Sequence, residues 1–155
     1  MNIALYRSNG WIGKAIAFWS RGRYTHAVIV LDDNRVIDAQ VIKGVCIREN
    51  IADRMSKRIV DVFEVNTTSE QDEIIKDFLT RQIGKKYDYL ALIGFVLHTT
   101  KESRKQLSRW ICSELVFAAF QKANINLLDR IDAWKVSPTI LSYSTIMVPK
   151  GTLTI

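Results

Sequence analysis

The spacing of hydrophobic residues along the chain changes near residue 67. Before that point hydrophobic and polar residues alternate, or β-branched residues cluster, at 2–7, 24–40, 44–49 and 59–65, which predicts strands. Helical spacing interrupts this pattern once, at 11–20. Because the segment 24–40 has two β-rich arms around the turn signal Asp32-Asp-Asn34, we predict that it forms a hairpin.

After residue 67 the spacing becomes mainly helical. The run Thr67-Thr-Ser-Glu70 offers helix caps, and one hydrophobic face follows it as far as Gly84. Its members are Ile74, Ile75, Phe78, Leu79 and Ile83. Further helices are predicted at 89–97 and from Cys112 onwards, with a polar loop at 99–108 between them. Pro138 then interrupts the pattern, and 145–148 is predicted as a closing strand.

Because strands and helices come in blocks rather than in alternation, the pattern predicts an α+β fold. The sheet should be mainly antiparallel and packed against helices. The chain has 155 residues, of which 48% are hydrophobic and 25% charged, as is typical of a globular protein. We therefore treat residues 1–155 as a single domain, long enough to bury roughly 70% of the unfolded surface.

No targeting or membrane-spanning segment is visible in the sequence. The N-terminal residues lack a basic segment followed by an apolar core and a cleavage site. The longest apolar run, 89–97, is far shorter than the ~20 residues that cross a bilayer. These observations predict a soluble protein of the cytoplasm.

The chain is basic, with 22 Lys and Arg against 16 Asp and Glu and a net charge of +6. The basic residues gather at Arg21 and Arg23, at Lys85 and Lys86, and at 101–109. An anionic surface is therefore a possible partner, although solvated faces of a basic protein are the more common explanation of such clusters. No recognised nucleic-acid-binding motif is present, and no nucleic acid is expected as a partner.

Two cysteines, Cys46 and Cys112, are expected to be free thiols, because a cytoplasmic chain meets a reducing compartment. They do not form close ligand pairs with His26 or His98, so we expect no metal and no other cofactor. Cys112 opens a predicted helix, where unpaired amides and the helix dipole lower a thiol's pKa. Cys46 lies within a predicted strand and lacks this feature.

His26 and Asp38 lie on opposite arms of the predicted hairpin. A three-residue turn at Asp32–Asn34 places Asp38 opposite Val28 and on the same face as His26. A two-residue turn would send Asp38 to the other face. With the first register, Asp38 or the directly opposed Gln40 can orient the His26 imidazole, and His26 can take the proton of Cys112. His98 is a competing base.

Three segments resemble the circularly permuted branch of the NlpC-type papain-like hydrolases, such as YiiX-like proteins. They are Thr25-His-Ala-Val28, the arm Val36-Ile-Asp-Ala39 followed by Gly44-Val45, and Ile111-Cys-Ser-Glu-Leu-Val116. The lecithin:retinol acyltransferase-like enzymes show the same order, with the histidine strand before the cysteine helix. The segments 84–89 and 136–138 are similar to further parts of the family.

The resemblance implies a papain-like fold and a covalent acyl-enzyme. By the same resemblance Cys112 is the nucleophile, His26 the base and Asp38 the third polar residue of a triad. The family includes cell-wall peptide hydrolases as well as lipid acyl hydrolases and acyltransferases. Aromatic residues could line a substrate groove, although core packing is the more common use of such side chains. The groove candidates are Trp11, Trp19, Tyr24 and Trp110, together with Ser113.

We therefore expect a thiol hydrolase that cleaves an amide bond, an amidase or peptidase whose substrates could be cell-wall peptides. One alternative is an acyl hydrolase or acyltransferase acting on ester or thioester bonds of lipids at anionic membranes, with 99–109 as a docking element. A second alternative, of another class, is a non-catalytic binding module that uses the positive charge. The set formed by His26, Asp38 and Cys112 argues against it.

Overall fold

A computed structural model of the chain describes residues 1–7, 22–52, 58–89 and 109–155. Several sequence predictions lie outside these residues. They are the helix at 11–20, all but the first residue of the helix at 89–97, the loop at 99–108, and the side chains of Trp11, Trp19, Arg21 and His98. The basic segment 101–109 lies outside them except for Arg109.

Six strands form an antiparallel sheet in the order β4-β3-β2-β1-β5-β8. They are β1 (Asn2–Arg7), β2 (Tyr24–Val30), β3 (Val36–Gln40), β4 (Gly44–Arg48), β5 (Ile59–Val65) and β8 (Met147–Thr154). Two short strands, β6 (Lys86–Tyr87) and β7 (Arg109–Trp110), pair in parallel beside it. The predicted α+β class with a mainly antiparallel sheet is confirmed.

Strand β1 is more buried than its sequence pattern predicts. It lies between β2 and β5, and Ile3, Ala4, Leu5 and Tyr6 are all fully buried. The alternation of hydrophobic and polar residues at 2–7 predicts a strand with only one face buried, that of Ile3 and Leu5. The difference arises because Ala4 and Tyr6 pack in a second hydrophobic cluster on the other face of the sheet. A central strand covered on both faces has no solvent side.

The hairpin of β2 and β3 has the three-residue turn that places Asp38 on the face of His26. Ile29 pairs with Ile37 and Val30 with Val36, and the Leu31 amide donates to the Arg35 carbonyl at 2.8 Å. Asn34 has a φ of 66°, a left-handed conformation that asparagine tolerates well. A type I turn followed by such a residue is the usual three-residue hairpin loop.

A second hairpin joins β3 to β4 and places Cys46 directly opposite Asp38. Gly44 begins β4 with a φ of 72°, and a side chain at this position would collide with the carbonyl oxygen of Lys85. That carbonyl accepts a hydrogen bond from the Val45 amide at 2.8 Å. Glycine is therefore needed at position 44 both for its backbone conformation and for the close approach of Lys85.

Helix α1 (Ser69–Thr80) begins with the predicted cap. Thr68 accepts from the Gln71 amide at 3.2 Å, and Gln71 accepts from the Thr68 amide at 3.0 Å. The helix ends earlier than Gly84, because tighter hydrogen bonds form over the turn that follows Thr80. Ile75 and Leu79 are buried in the core, whereas Ile74 and Ile83 are 38% and 40% exposed.

Helix α2 (Cys112–Lys122) begins at Cys112, as predicted. A 3₁₀ turn (Ala133–Lys135) and the one-turn helix α3 (Pro138–Leu141) follow it. The closing strand β8 starts two residues later than predicted and continues to Thr154. As an edge strand paired only with β5 in the described part of the sheet, β8 can accommodate Pro149 and Gly151.

The main core lies between one face of the sheet and helices α1 and α2. Leu115, Val116, Ala119 and Phe120 of α2 join sheet residues such as Ile29 there. Ser113 fixes the start of α2, because its buried hydroxyl donates to the Val136 carbonyl at 2.7 Å. This packing holds Cys112 at the end of the helix that meets strands β2 and β3.

Candidate functional site

The first residue of α2 is Cys112, which is 3% exposed. The preceding residue, Ile111, has extended backbone angles and no side chain that could accept a hydrogen bond from the helix amides. The first amides of a helix have no partner within the helix, and together with the helix dipole they favour a negative charge nearby. The Cys112 sulfur is therefore at a position that favours a thiolate.

The imidazole of His26 is bonded to Asp38. His26 Nε2 lies 2.6 Å from Asp38 Oδ2, and both residues are buried, Asp38 completely. The sequence left the orienting residue open between Asp38 and Gln40, and Asp38 is the residue that contacts the ring. Gln40 pairs with Gly44 at the end of β3.

Cys112 meets His26 where β2 and β3 separate. Among the described residues, the pairing of these strands covers Ile29 and Val30 and does not continue to Val28 and Asp38. The His26 ring and the Ala27 backbone lie beside the Cys112 thiol, and both favour its thiolate form. Cys112, His26 and Asp38 thus form a continuous polar series, drawn from a helix and two strands.

The electrostatics of this series favour an ion pair. Burial works against ionisation of Cys112, but the His26 charge, its hydrogen bond and the Ala27 backbone outweigh burial and lower the pKa of the thiol. Burial likewise works against the His26 imidazolium, but Cys112 and Asp38 outweigh it and raise the pKa of the ring. These opposite shifts favour a thiolate beside an imidazolium, the form in which a cysteine is nucleophilic.

On its other side Asp38 contacts Arg48 from β4. Arg48 Nη2 lies 3.3 Å from Asp38 Oδ2, and the Arg48 side chain is only 4% exposed. The same nitrogen donates to the Tyr6 hydroxyl at 3.2 Å, and Nη1 donates to the Asn50 carbonyl at 3.3 Å. Burial opposes the charge of Arg48, but Asp38 and Tyr6 outweigh it and raise the pKa of the guanidinium. Arg48 is therefore a fixed positive charge.

Tyr6 contacts both His26 and Arg48. Its ring packs edge-on against the His26 ring, with centroids 5.7 Å apart, and its hydroxyl donates to the Ile51 carbonyl at 2.7 Å. The Arg48 guanidinium carbon lies 6.0 Å from the centroid of the same ring. Tyr6 therefore restrains both the base and the arginine from the central strand.

Cys46 is a thiol with the opposite electrostatics. Its sulfur lies 3.8 Å from Asp38 Oδ1. Burial and the Asp38 charge raise the pKa of Cys46, and they outweigh Lys43 and Arg48, which act in the other direction. Of the two cysteines, Cys112 is therefore the one in an activating environment.

The remaining groove candidates have structural contacts. Trp110 is buried, and its indole nitrogen donates to Gln82 Oε1 at 3.2 Å. Ser113 is held by Val136, as described above. The hydroxyl of Tyr24 donates to Asp61 Oδ2 at 2.6 Å, and burial together with this partner raises the pKa of Tyr24 to about 12.

Tyr24 lines a cavity of about 890 Å³ at the ends of β1 and β2. Asp61 lies in its wall and accepts two hydrogen bonds from Arg7, both at 2.8 Å, and one from Thr152 at 2.6 Å. Of the described residues that line this cavity, none belongs to the series Cys112, His26 and Asp38. The cavity is adjacent to the site by way of β2.

Sequence reasoning missed three members of the site: Arg48, Tyr6 and the Ala27 backbone. One signal was available for Arg48. It follows Cys46 by two residues on β4, so a charged side chain shares the face of a residue opposite Asp38. The contribution of Tyr6 depends on β1 pairing with β2, which no local pattern in the sequence indicates.

The described residues also bear on metal binding and on membrane insertion. No three His, Cys, Asp or Glu side chains in the described ranges are grouped so that they could hold a metal ion. Of the helices within those ranges, none combines the length and the apolar character that crossing a membrane requires.

Comparison with known proteins gives one line of evidence, from structure. Neither the protein-family models nor the curated proteins contain a match to this chain. Among solved structures, the chain is similar to the crystal structure of the metalloprotein YiiX from Escherichia coli O157:H7, assigned to DUF1105. The TM-score is 0.70 at 16% sequence identity, over 97% of this chain and 94% of that one. The two proteins therefore share a fold over nearly their whole length.

Proposed function

We propose that this chain is a cysteine hydrolase that cleaves an amide bond through a covalent acyl-enzyme, as an amidase or peptidase. The observation that carries the proposal is the buried series in which Cys112 lies beside His26 and His26 is bonded to Asp38. Three residue types in this arrangement are those of a nucleophile, a base and a group that orients the base.

In the first half of the reaction the Cys112 thiolate attacks the carbonyl carbon of the substrate, and the carbonyl electrons move to oxygen. The Cys112 backbone amide, which has no partner within the helix, can donate to this oxyanion. When the tetrahedral intermediate collapses, the C–N bond breaks and the His26 imidazolium gives its proton to the leaving nitrogen. The products of this half are a free amine and a thioester on Cys112.

In the second half the neutral His26 takes a proton from water while the water oxygen attacks the thioester carbonyl. Collapse of the second intermediate breaks the C–S bond, releases the acid and restores the thiolate beside the imidazolium. Asp38 keeps its hydrogen bond to the ring throughout, so the imidazole does not rotate between the two halves. The complete reaction consumes only the substrate and one water molecule.

The permuted NlpC-type relationship, with its papain-like fold, is part of this proposal. It is supported by the order of the histidine strand and the cysteine helix, and by the fold shared with YiiX. That relationship makes peptides, including those of cell walls, the first substrate class to examine. YiiX is called a metalloprotein, but no three His, Cys, Asp or Glu side chains of the part of this chain that the structure describes are grouped to hold a metal ion. The proposed reaction therefore uses protein side chains and water.

Covalent trapping tests the proposal. A panel of peptide amides and matched acyl esters is incubated with the wild-type chain, C112S and C46S, and the intact mass is followed. We expect an acyl adduct on Cys112 and release of the acid with an amide substrate, in the wild type and in C46S. Adducts with esters alone would move the activity to the lipid acyl class, with binding to anionic vesicles as the next measurement.

Thiol alkylation tests the activated cysteine without a known substrate. At pH 6 iodoacetamide should modify Cys112 faster than Cys46, measured peptide by peptide, because the two pKa values are shifted in opposite directions. The two thiols are each other's control within one sample. Equal rates, or faster labelling of Cys46, would end the proposal of a cysteine hydrolase.

A further inference from the structure

Four buried groups that carry charge meet at the site when the thiolate has formed. Cys112 and Asp38 are negative, and His26 and Arg48 are positive. Of these, Asp38 has no exposed surface and the Arg48 side chain is 4% exposed. An isolated charge at such depth costs several kcal/mol, whereas balanced and hydrogen-bonded charges are tolerated.

We propose that Arg48 is a positioning residue of the thiol site, whose charge makes the buried set of thiolate, imidazolium and carboxylate electrically neutral. This inference rests on the proposed function, because it concerns the same reactive cysteine. Arg48 contacts Asp38, which lies between it and His26, and acts on the set by its charge. Its place is fixed by three described partners, namely Asp38, the Tyr6 hydroxyl and the Asn50 carbonyl.

Arg48 changes the net charge of the buried set. Without Arg48, the thiolate, the imidazolium and the carboxylate together carry a net charge of −1 in a buried region. A carboxyl group ordinarily loses its proton several pH units before a thiol. Cys112, not Asp38, is then the group that stays protonated until higher pH, and the active form is less populated at neutral pH.

Other titratable groups near the set belong to neighbouring elements. Cys46 from β4 faces Asp38, and Tyr6 from β1 lies between His26 and Arg48. Glu114 is half-buried in the first turn of α2, beside Cys112 in the sequence. None of these is a positive charge, and Lys43, whose charge acts on Cys46, lies exposed in the turn before β4. None of these groups can therefore replace the buried charge of Arg48.

The test is the pH profile of Cys112 alkylation by iodoacetamide in R48M, R48K and the wild type. We expect the midpoint of R48M to rise by at least about one pH unit, which lowers the rate about tenfold at pH values below both midpoints. R48K keeps the charge and should lie close to the wild type. R35M is the matched control, because Arg35 forms an exposed ion pair with Asp33, and its midpoint should not move.

A second pair keeps the test decisive if R48M does not fold. D38N removes one negative charge and gives the set a net charge of +1, whereas the set in D38N/R48M is neutral again and has no buried carboxylate left without a partner. Removing Arg48 in this background should again raise the midpoint. An unchanged midpoint in both pairs, whatever the plateau rate, would overturn the role of Arg48.

The two proposals can fail separately. If wild-type Cys112 reacts no faster than Cys46 at pH 6, the hydrolase fails and the role of Arg48 fails with it. If wild-type Cys112 is activated and the loss of Arg48 lowers the rate equally at every pH, only the role of Arg48 fails. Arg48 would then be a structural partner of a buried carboxylate.

Discussion

His26 Nε2 lies 2.6 Å from Asp38 Oδ2, at the point where strands β2 and β3 cease to pair. The Asp38 side chain has no exposed surface, and its full negative charge beside the imidazole favours the protonated form of the His26 ring. The geometry therefore connects a local feature of the hairpin, its three-residue turn, with the protonation state of the base.

The first prediction concerns this contact. Replacing Asp38 by Asn removes the charge that stabilises the imidazolium, so the pKa of His26 should fall. The measurement is an NMR titration of the ring in a C112S background, which removes the thiolate as a second cause. The chain has only two histidines, and H98Q assigns the signals. A His26 pKa that is equal or higher in C112S/D38N would contradict the role of Asp38.

The second prediction concerns the base itself. In H26A the Cys112 thiol loses the charge and the hydrogen bond that lower its pKa, while burial remains. The pKa should therefore rise to the ordinary thiol value of about 8.5 or above, and alkylation at pH 6 should fall by at least about tenfold. The Cys46 rate is the internal control. Unchanged labelling of Cys112 would mean that the helix N-terminus alone activates the thiol.

The sequence indicated Cys112, His26 and Asp38 because the signals that place them are local. A three-residue turn sets the register of one hairpin, and a change of hydrophobic spacing marks the start of α2. The insertion of β1 between β2 and β5 is non-local, since it joins residues far apart in the chain. The second buried face, and with it Tyr6, could not be derived from such signals.

The third prediction tests the support of β4, the strand that carries Arg48. G44A should destabilise the fold more than G84A, measured as the free energy of unfolding in urea. Both glycines have a positive φ, at 72° and 83°, so both variants pay a strain of about 1 kcal/mol. Of the two, only the methyl group introduced by G44A would collide with a backbone carbonyl, that of Lys85. If G44A and G84A lose equal free energy of unfolding, β4 can move away from Lys85 without cost.

The fourth prediction concerns Asp61, which holds β1, β2 and β8 together beside the cavity. Burial opposes its ionisation, but hydrogen bonds from Arg7, Thr152 and Tyr24 outweigh burial and lower the pKa to about 2. A carboxyl group with a depressed pKa stabilises the folded state above the unfolded pKa of about 3.9. That contribution is lost as the pH falls through about 2.

D61N should therefore lower the free energy of unfolding by about 2 kcal/mol at pH 7, and by less at pH 3. Urea unfolding at the two pH values measures the difference. E64Q is the matched control on the same strand, because Glu64 forms an exposed pair with Lys150 at 2.9 Å, and exposed pairs contribute at most about 1 kcal/mol. If D61N loses as much at pH 3 as at pH 7, the contribution of Asp61 is packing and not charge.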